Sequence, residues 1–262
     1  MRAKKSFGQH FLHSADVLAH IVDALDAASD ETVFEIGPGT GQLTRRLVSA
    51  VGAKRVTCIE KDRDMVAHLK RHLPEVSVIQ EDAVRTTWAK HVTGPSVVVG
   101  NLPYNASSQI YFNLLLSHRH LFRRMVFMFQ KEVADRFVAS EGTKVYGPPS
   151  VLTWLLADAH RTMVVKPGAF RPPPKVDSAI VQIDLLRDPR RDVGSSIDAF
   201  NTFVHGLFQQ RRKTIQNNLK RMYGPEALPC LDTIGIARSA RSETVCPELL
   251  VDLWRCVIDL RS

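Results

Sequence analysis

The sequence predicts an α/β protein, a doubly wound and mostly parallel sheet followed by a small all-helical unit, and three observations carry that expectation. Strand-like β-branched runs alternate with amphipathic segments of helical period over the first two thirds of the chain. The first of these strands runs into a glycine-rich turn and a helix, and the next strand ends in an acidic residue about 20 positions further on, the spacing of nucleotide-binding α/β folds. Beyond residue 187 the strand signals stop and every periodic segment is helical.

Taken in order, Ser14 can cap a helix whose apolar residues Val17, Leu18, Ile21, Val22 and Leu25 share one face. Strands are expected at Thr32 to Ile36, Arg55 to Ile59, Val76 to Ile79, Val97 to Val99 and Met125 to Phe129. Helices lie between them, such as Gln42 to Val48, and Asp62 to Leu73 with Met65, Val66, Leu69 and Leu73 facing inward. Two later strands, near His160 to Val165 and Ala179 to Leu186, flank Pro172 to Pro174 and are expected to pair as an antiparallel extension of the sheet. Arg187 to Ser196 is charged, rich in Gly, Ser and Pro, and without apolar period, so it reads as a linker between domains at residues 1–187 and 188–262. In the second domain Phe200, Phe203, Val204, Leu207 and Phe208 repeat at helical spacing, and Pro247 starts a terminal helix carrying Leu250, Leu253, Trp254 and Val257.

The 35 Lys and Arg against 27 Asp and Glu leave a formal charge of +8, a surplus that suits a polyanionic partner. The basic residues gather at Arg2, Lys4 and Lys5, at Arg119, Arg123 and Arg124, and at Arg211, Arg212, Lys213, Lys220 and Arg221. Cys58, Cys230, Cys246 and Cys256 form no CxxC pair, and none stands with histidines at zinc-ligand spacing. Neither a disulfide framework nor a metal site is therefore expected, and a reducing cytosol is the default compartment. Apolar runs such as Met125 to Phe129 are too short to span a bilayer, and the N-terminus has no stretch of signal-peptide type, so a cytoplasmic protein is expected.

The chemistry is carried by four strand ends. Glu35-Ile36-Gly37-Pro38-Gly39-Thr40-Gly41 closes the first strand, where glycines let a ligand approach the backbone. A tight turn alone would also explain them. Glu60 ends the second strand, where such folds set a carboxylate on ribose hydroxyls, and this fits a nicotinamide cofactor or S-adenosylmethionine equally. The third strand ends in Glu81-Asp82-Ala83, placing a carboxylate where an adenine amino group can donate to it, and a second acidic strand end is typical of methyltransferases.

The fourth strand ends in Asn101-Leu102-Pro103-Tyr104. An adenine amino nitrogen is a poor nucleophile because its lone pair is delocalised into the ring. Two acceptors, the Asn101 side-chain oxygen and the Pro103 carbonyl, can each take one N–H and turn that lone pair towards a methyl donor. Tyr104 offers a flat face for a flipped-out base.

Phe7-Gly8-Gln9-His10-Phe11-Leu12, the glycine turn, Asn101 to Tyr104 with Asn105 and Ser107, Gln130 to Val133, Tyr146-Gly147 and Phe170 through Ser178 occur in that order. Arg211 to Thr214, Asn217 to Leu219, Gly235-Ile236, Arg241 and Glu243 complete the series. Together they resemble the small-subunit ribosomal RNA adenine N6,N6-dimethyltransferases (16S rRNA dimethyladenosine transferases) over nearly the whole chain. The resemblance implies a Rossmann-like S-adenosylmethionine-dependent methyltransferase domain with a seven-stranded, mostly parallel sheet, and a helical RNA-binding domain after it. It implies that His10, Leu12, Gly37, Gly39, Glu60, Asp82 and Asn101 bind the cofactor, and that Phe170 walls the base pocket opposite Tyr104. It also implies RNA contacts at Arg211, Arg212 and Lys213. The implied substrate is a pair of adjacent adenosines near the 3′ end of the small-subunit RNA, each methylated twice by a monomer acting within a pre-ribosomal particle. The chain departs from the family pattern at His10, where Asn is frequent, at Ala106, where a larger aliphatic is usual, and at Val245, where Leu is common.

Three other readings remain. A large-subunit RNA adenine methyltransferase of the macrolide-resistance type shares the scaffold, but Leu102 and the Arg-Arg-Lys-Thr tail favour the small-subunit enzyme. A non-catalytic RNA-binding or transcription factor on the same scaffold need not keep Gly37, Glu60, Asp82 and Asn101. An NAD-dependent oxidoreductase leaves Asn101 to Tyr104 and the basic tail unexplained.

Overall fold

A computed structural model describes residues 10–194 and 196–260. Arg2, Lys4, Lys5 and Phe7 to Gln9 of the N-terminal motif lie outside the described residues. Contacts divide the chain into two compact units, one containing the chain up to Ala134 with Asp158–Arg187, the other Asp135–Ala157 with the chain from Asp188.

The first unit opens with β1 (Phe11–Leu12) and α1 (Ala15–Leu25), whose Val17, Leu18, Ile21 and Leu25 are buried as their spacing predicts. Ser14 takes the cap position, but its hydroxyl makes no capping bond. Then follow β2 (Thr32–Ile36), α2 (Gln42–Val51), β3 (Val56–Glu60), α3 (Arg63–His72), β4 (Ser77–Gln80), β5 (Ser96–Asn101), α4 (Ser107–Asn113) and β6 (Arg124–Gln130). Asp62 caps α3 by accepting the Asp64 N–H at 2.9 Å, and Met65, Val66 and Leu69 are buried beneath it.

The chain passes through α5 (Lys131–Phe137) and α6 (Pro148–Leu156) before β7 (Ala157–Val165), β8 (Phe170–Arg171) and β9 (Ser178–Leu185). Seven strands form one sheet in the order β4-β3-β2-β5-β6-β9-β7, while β1 and β8 pair separately as a two-stranded antiparallel ribbon. The first five are parallel and β9 runs antiparallel to β6, so the two late strands extend the sheet where the sequence predicts. This is the Rossmann-like, mostly parallel seven-stranded sheet that the resemblance implies, with a helical part after it.

Val33, Val97, Val98, Val99 and Val126 have no exposed surface, which is why these strands read as continuous β-branched runs. Beside Asn101, a Cβ on Gly100 would stand 2.6 Å from the Ile36 carbonyl oxygen, so only glycine allows β5 to lie this close to β2 there.

The mid-chain arginines are used internally. Arg123 grips the buried carboxylate of Glu31 at 2.6 Å, and Arg124 holds Asp184 at 2.5 Å. Both therefore contribute less free positive charge than the sequence suggests.

The second unit contains α7 (Ile197–Phe208), α8 (Ile215–Tyr223), α9 (Pro229–Ile234) and α10 (Pro247–Asp259). All five apolar positions predicted for α7 are buried, and the Ser196 hydroxyl caps it by accepting the Ala199 N–H. Asp135–Ala157, which the sequence reading assigns to the first domain, packs here instead. The reason lies in its side chains: α6 buries residues on most of its surface, and the Tyr146 ring meets Phe208 while its hydroxyl donates to the Val245 carbonyl at 3.0 Å.

A disulfide joins Cys230 on α9 to Cys256 on α10, with Cα atoms 5.8 Å apart, against the expectation of unpaired thiols. Linear spacing does not reveal which helices will lie side by side, so a pair 26 residues apart carried no signal. No helix among the described residues is long and apolar enough to cross a membrane, and no group of three or more His, Cys, Asp or Glu among them is arranged to hold a metal ion.

Candidate active site

The chain leaves β2 for β3 and β4 on one side and returns at β5 on the other, so the carboxyl ends of β2 and β5 form the switch point at which open α/β sheets bind ligands. A cleft of about 380 Å³ opens there, within the ~300–1,000 Å³ typical of small-molecule sites. His10, Leu12, Gly37, Gly39, Glu60, Asp82, Asn101, Pro103 and Tyr104 all line it. Phe170 is not among the lining residues.

The glycine turn and the next acid are tied together. Glu60 is 7% exposed; its Oε2 accepts the Gly39 N–H at 3.3 Å and its Oε1 the Asp62 N–H at 2.8 Å. Burial pushes its pKa up while those N–H groups pull the other way. Each carboxylate oxygen keeps a lone pair for a ligand hydroxyl. At Gly39 the backbone is left-handed (φ 55°), and a Cβ would stand 3.1 Å from the Phe11 ring.

Asp82 receives the Lys61 ammonium on Oδ2 at 2.6 Å and the Val84 N–H on Oδ1 at 3.1 Å. Burial opposes ionisation, but these donors outweigh it and hold the carboxyl below its usual range. Under the cleft lies Glu35, 2% exposed, accepting the Cys58 thiol at 3.7 Å. Burial raises its pKa to about 7, and burial likewise pushes the Cys58 thiol up.

The orientation of Asn101 is fixed by its neighbour. Its Nδ2 donates to the His10 carbonyl oxygen at 3.0 Å, and because a carbonyl only accepts, the amide cannot be turned over without losing that bond. The side-chain oxygen is thereby left as the free acceptor. The Pro103 carbonyl already takes the Ala106 N–H at 3.0 Å, which leaves one lone pair. The half-buried Tyr104 is tied by its hydroxyl to Ser178 at 2.7 Å, and burial raises its pKa.

Tyr104 has a ring neighbour that the sequence did not suggest. Phe170, expected opposite it, is 2% exposed and packed in the core, paired through β8 with Leu12 of β1. Its strand position turns the ring inward. The His10 ring stands 5.5 Å from the Tyr104 ring instead, tilted by 32°. His10 Nδ1 donates to the Pro172 carbonyl at 2.7 Å, which fixes the ring beside Tyr104.

Two residues bonded to the site, and a histidine pair beside it, had no role assigned from sequence. Ser178 and Lys61 bond to site residues; Ser178 ends the Phe170 to Ser178 motif but had no role assigned, and Lys61 carries no pattern of its own. His68 and His72, one turn apart on α3 with rings 4.1 Å apart, line a separate, more open depression with Thr40, Gln42 and Arg45; their spacing was the available signal.

In the second unit Arg211, Arg212 and Lys213 are exposed in the turn between α7 and α8. Arg211 is held by Glu243 at 2.8 Å and by the Lys144 carbonyl at 2.9 Å.

The chain matches the family model described as ribosomal RNA adenine dimethylase over residues 1–258. It is 41% identical to the ribosomal RNA small subunit methyltransferase A of Myxococcus xanthus over 98% of this chain and 92% of that one. With the protein of the same name from Syntrophotalea carbinolica the identity is 45%, over 83% and 82%. Its structure is similar to that of a dimethyladenosine transferase from Plasmodium falciparum, with TM-score 0.80, 27% identity, and 93% and 96% of the two chains covered. It is also similar to the 23S rRNA methyltransferase ErmE, with TM-score 0.72, 27% identity, and 95% and 99% covered.

Proposed function

This chain belongs to the ribosomal RNA adenine dimethylase family, and from that membership we propose that it transfers methyl groups from S-adenosylmethionine to the N6 amino groups of two adjacent adenosines near the 3′ end of small-subunit ribosomal RNA. The large-subunit reading has structural likeness to ErmE behind it, but the curated relatives at 41% and 45% identity are small-subunit enzymes. A non-catalytic factor is disfavoured for the same reason. The observation that carries the mechanism is the Asn101 amide, locked by His10 with its oxygen unpaired in a cleft that Glu60 and Asp82 also line.

The residues present fit the donor. Glu60 keeps lone pairs for ribose hydroxyls, Asp82 is an ionised acceptor for an adenine amino group, and the turn at Gly37 and Gly39 presents backbone without side chains. His10 and Leu12 line the same space from the N-terminal side. When bound, S-adenosylmethionine supplies an electrophilic methyl group on a sulfonium.

On the target side, Asn101 Oδ1 accepts one N6–H and the Pro103 carbonyl the other through its remaining lone pair. The nitrogen lone pair then leaves conjugation with the ring. Tyr104 stacks on the flipped base.

Incubating the protein with S-adenosylmethionine and unmethylated small-subunit RNA or particles, then mapping by mass spectrometry, should find dimethylation at two neighbouring adenosines. Modification confined to large-subunit RNA would overturn the assignment. Comparing naked RNA with particles in that assay also tests the further proposal that a pre-ribosomal particle is the working substrate.

We place the activity in the cytoplasm on the strength of the ribosomal substrate; cysteine usage no longer argues for it, given Cys230–Cys256.

The turn at Arg211, Arg212 and Lys213 is proposed to grip RNA phosphate. Replacing Arg212 and Lys213 with alanine should reduce the slope of log affinity against log salt by about 2. Arg211→Ala should change it less, because Glu243 already shares that charge. An unchanged slope in the double variant would remove the role.

A further inference from the structure

Tyr104 stands on the loop between β5 and α4, where a ring has little backbone order to hold it. Its hydroxyl is 2.7 Å from the Ser178 hydroxyl, across 74 residues of sequence. Ser178 is fully buried and fixed as the first residue of β9, where it pairs with Gln130 of β6. The adjoining Asp177 carbonyl accepts the Lys131 N–H at 2.9 Å, so the backbone there is pinned on both sides. A buried hydroxyl needs a partner, and the partner here is the one aromatic residue of the Asn101 to Tyr104 motif.

We propose that Ser178 is a positioning residue for methyl transfer, holding the Tyr104 hydroxyl so that the plane of the ring is set as the face on which the target adenine stacks. The proposal rests on the reading of Tyr104 as that stacking face. The ring is held at two points, the hydroxyl by Ser178 and one side by His10 at 5.5 Å. Freed of the first, the phenol regains rotation about its side-chain bonds, and the bound base meets a moving surface. Ser178 touches neither donor nor base in this scheme and acts through Tyr104 alone.

A mutant cycle tests this on the full chain with small-subunit RNA. Ser178→Ala and Tyr104→Phe remove the same bond from opposite ends, and each should lower kcat/KM by about three- to tenfold, the worth of one ordinary hydrogen bond. The double variant should lose no more than either single one. S-adenosylmethionine affinity measured by calorimetry should stay at the wild-type value in all three, while fluorescence of 2-aminopurine substituted for the target adenosine should change in each. Tyr104→Phe leaves a buried serine hydroxyl without a partner, whereas Ser178→Ala leaves a half-buried phenol that water can reach, so Tyr104→Phe should show the larger fall in Tm. If either variant fails to fold, the other alone still reads the bond.

Losses that multiply in the double variant, or single variants with wild-type kcat/KM, would overturn the role of Ser178. Tyr104→Ala separates the two levels. A dead Tyr104→Ala beside fully active Ser178→Ala and Tyr104→Phe refutes the positioning role alone, whereas a fully active Tyr104→Ala refutes the stacking face and this proposal with it.

Discussion

Asn101→Ala should lower kcat for methyl transfer by about a hundredfold, on the order of 3 kcal/mol in barrier, the usual cost of one preorganised polar group aimed at a reacting centre. The geometry makes the prediction sharper than a simple truncation. Asn101 donates to His10 through nitrogen and keeps its oxygen for substrate, so both halves of the amide have separate tasks. Asn101→Asp retains an acceptor but faces the His10 carbonyl with a second oxygen, which repels it. The aspartate variant should therefore be nearly as impaired as alanine, with S-adenosylmethionine affinity within a few-fold of wild type by calorimetry. Single-turnover rates check this, and a fully active Asn101→Asp would show that the bond to His10 orients nothing of consequence.

Glu35 leads to the second expectation, in stability. Its pKa rises from 4.5 to about 7 on folding, chiefly through burial. A carboxyl with a raised folded-state pKa binds more protons folded than unfolded, so its contribution is complete below about pH 4.5 and is lost as pH climbs through 7. The loss amounts to about 3 kcal/mol, at 1.4 kcal/mol for each pKa unit. Glu35→Gln cannot ionise and should be free of it. Urea denaturation at pH 5 and pH 8 should show the difference between the two proteins shifting by about that amount in favour of the glutamine variant at the higher pH. Parallel behaviour at both values would mean that Glu35 is hydrated or otherwise compensated in solution.

The central strands were legible because they are buried on both faces and read as unbroken apolar runs. The four strand-end motifs were legible because the topology forces ligand-facing residues to one edge of the sheet. What escaped depended on which distant elements meet. Lys61 carries no pattern, Ser178 only closes a motif without a stated task, and both gain meaning from Asp82 and Tyr104. The Cys230–Cys256 bond needs two short helices to face each other. Phe170 lies in a motif whose family role suggested an open wall, yet the alternation of a strand turns its ring into the core. Asp135–Ala157 precedes the linker in sequence, and only its partners, Phe208 and Val245, show that it packs with the second unit.

The bonds from Asn101 to His10 and from His10 to Pro172 close loops spanning 91 and 162 residues. During translation the amide therefore waits for its orientation, first on a segment made long before it and then on one made long after. The full set of bonds that orients the amide can close only once the stretch around Pro172 has been made and has left the exit tunnel.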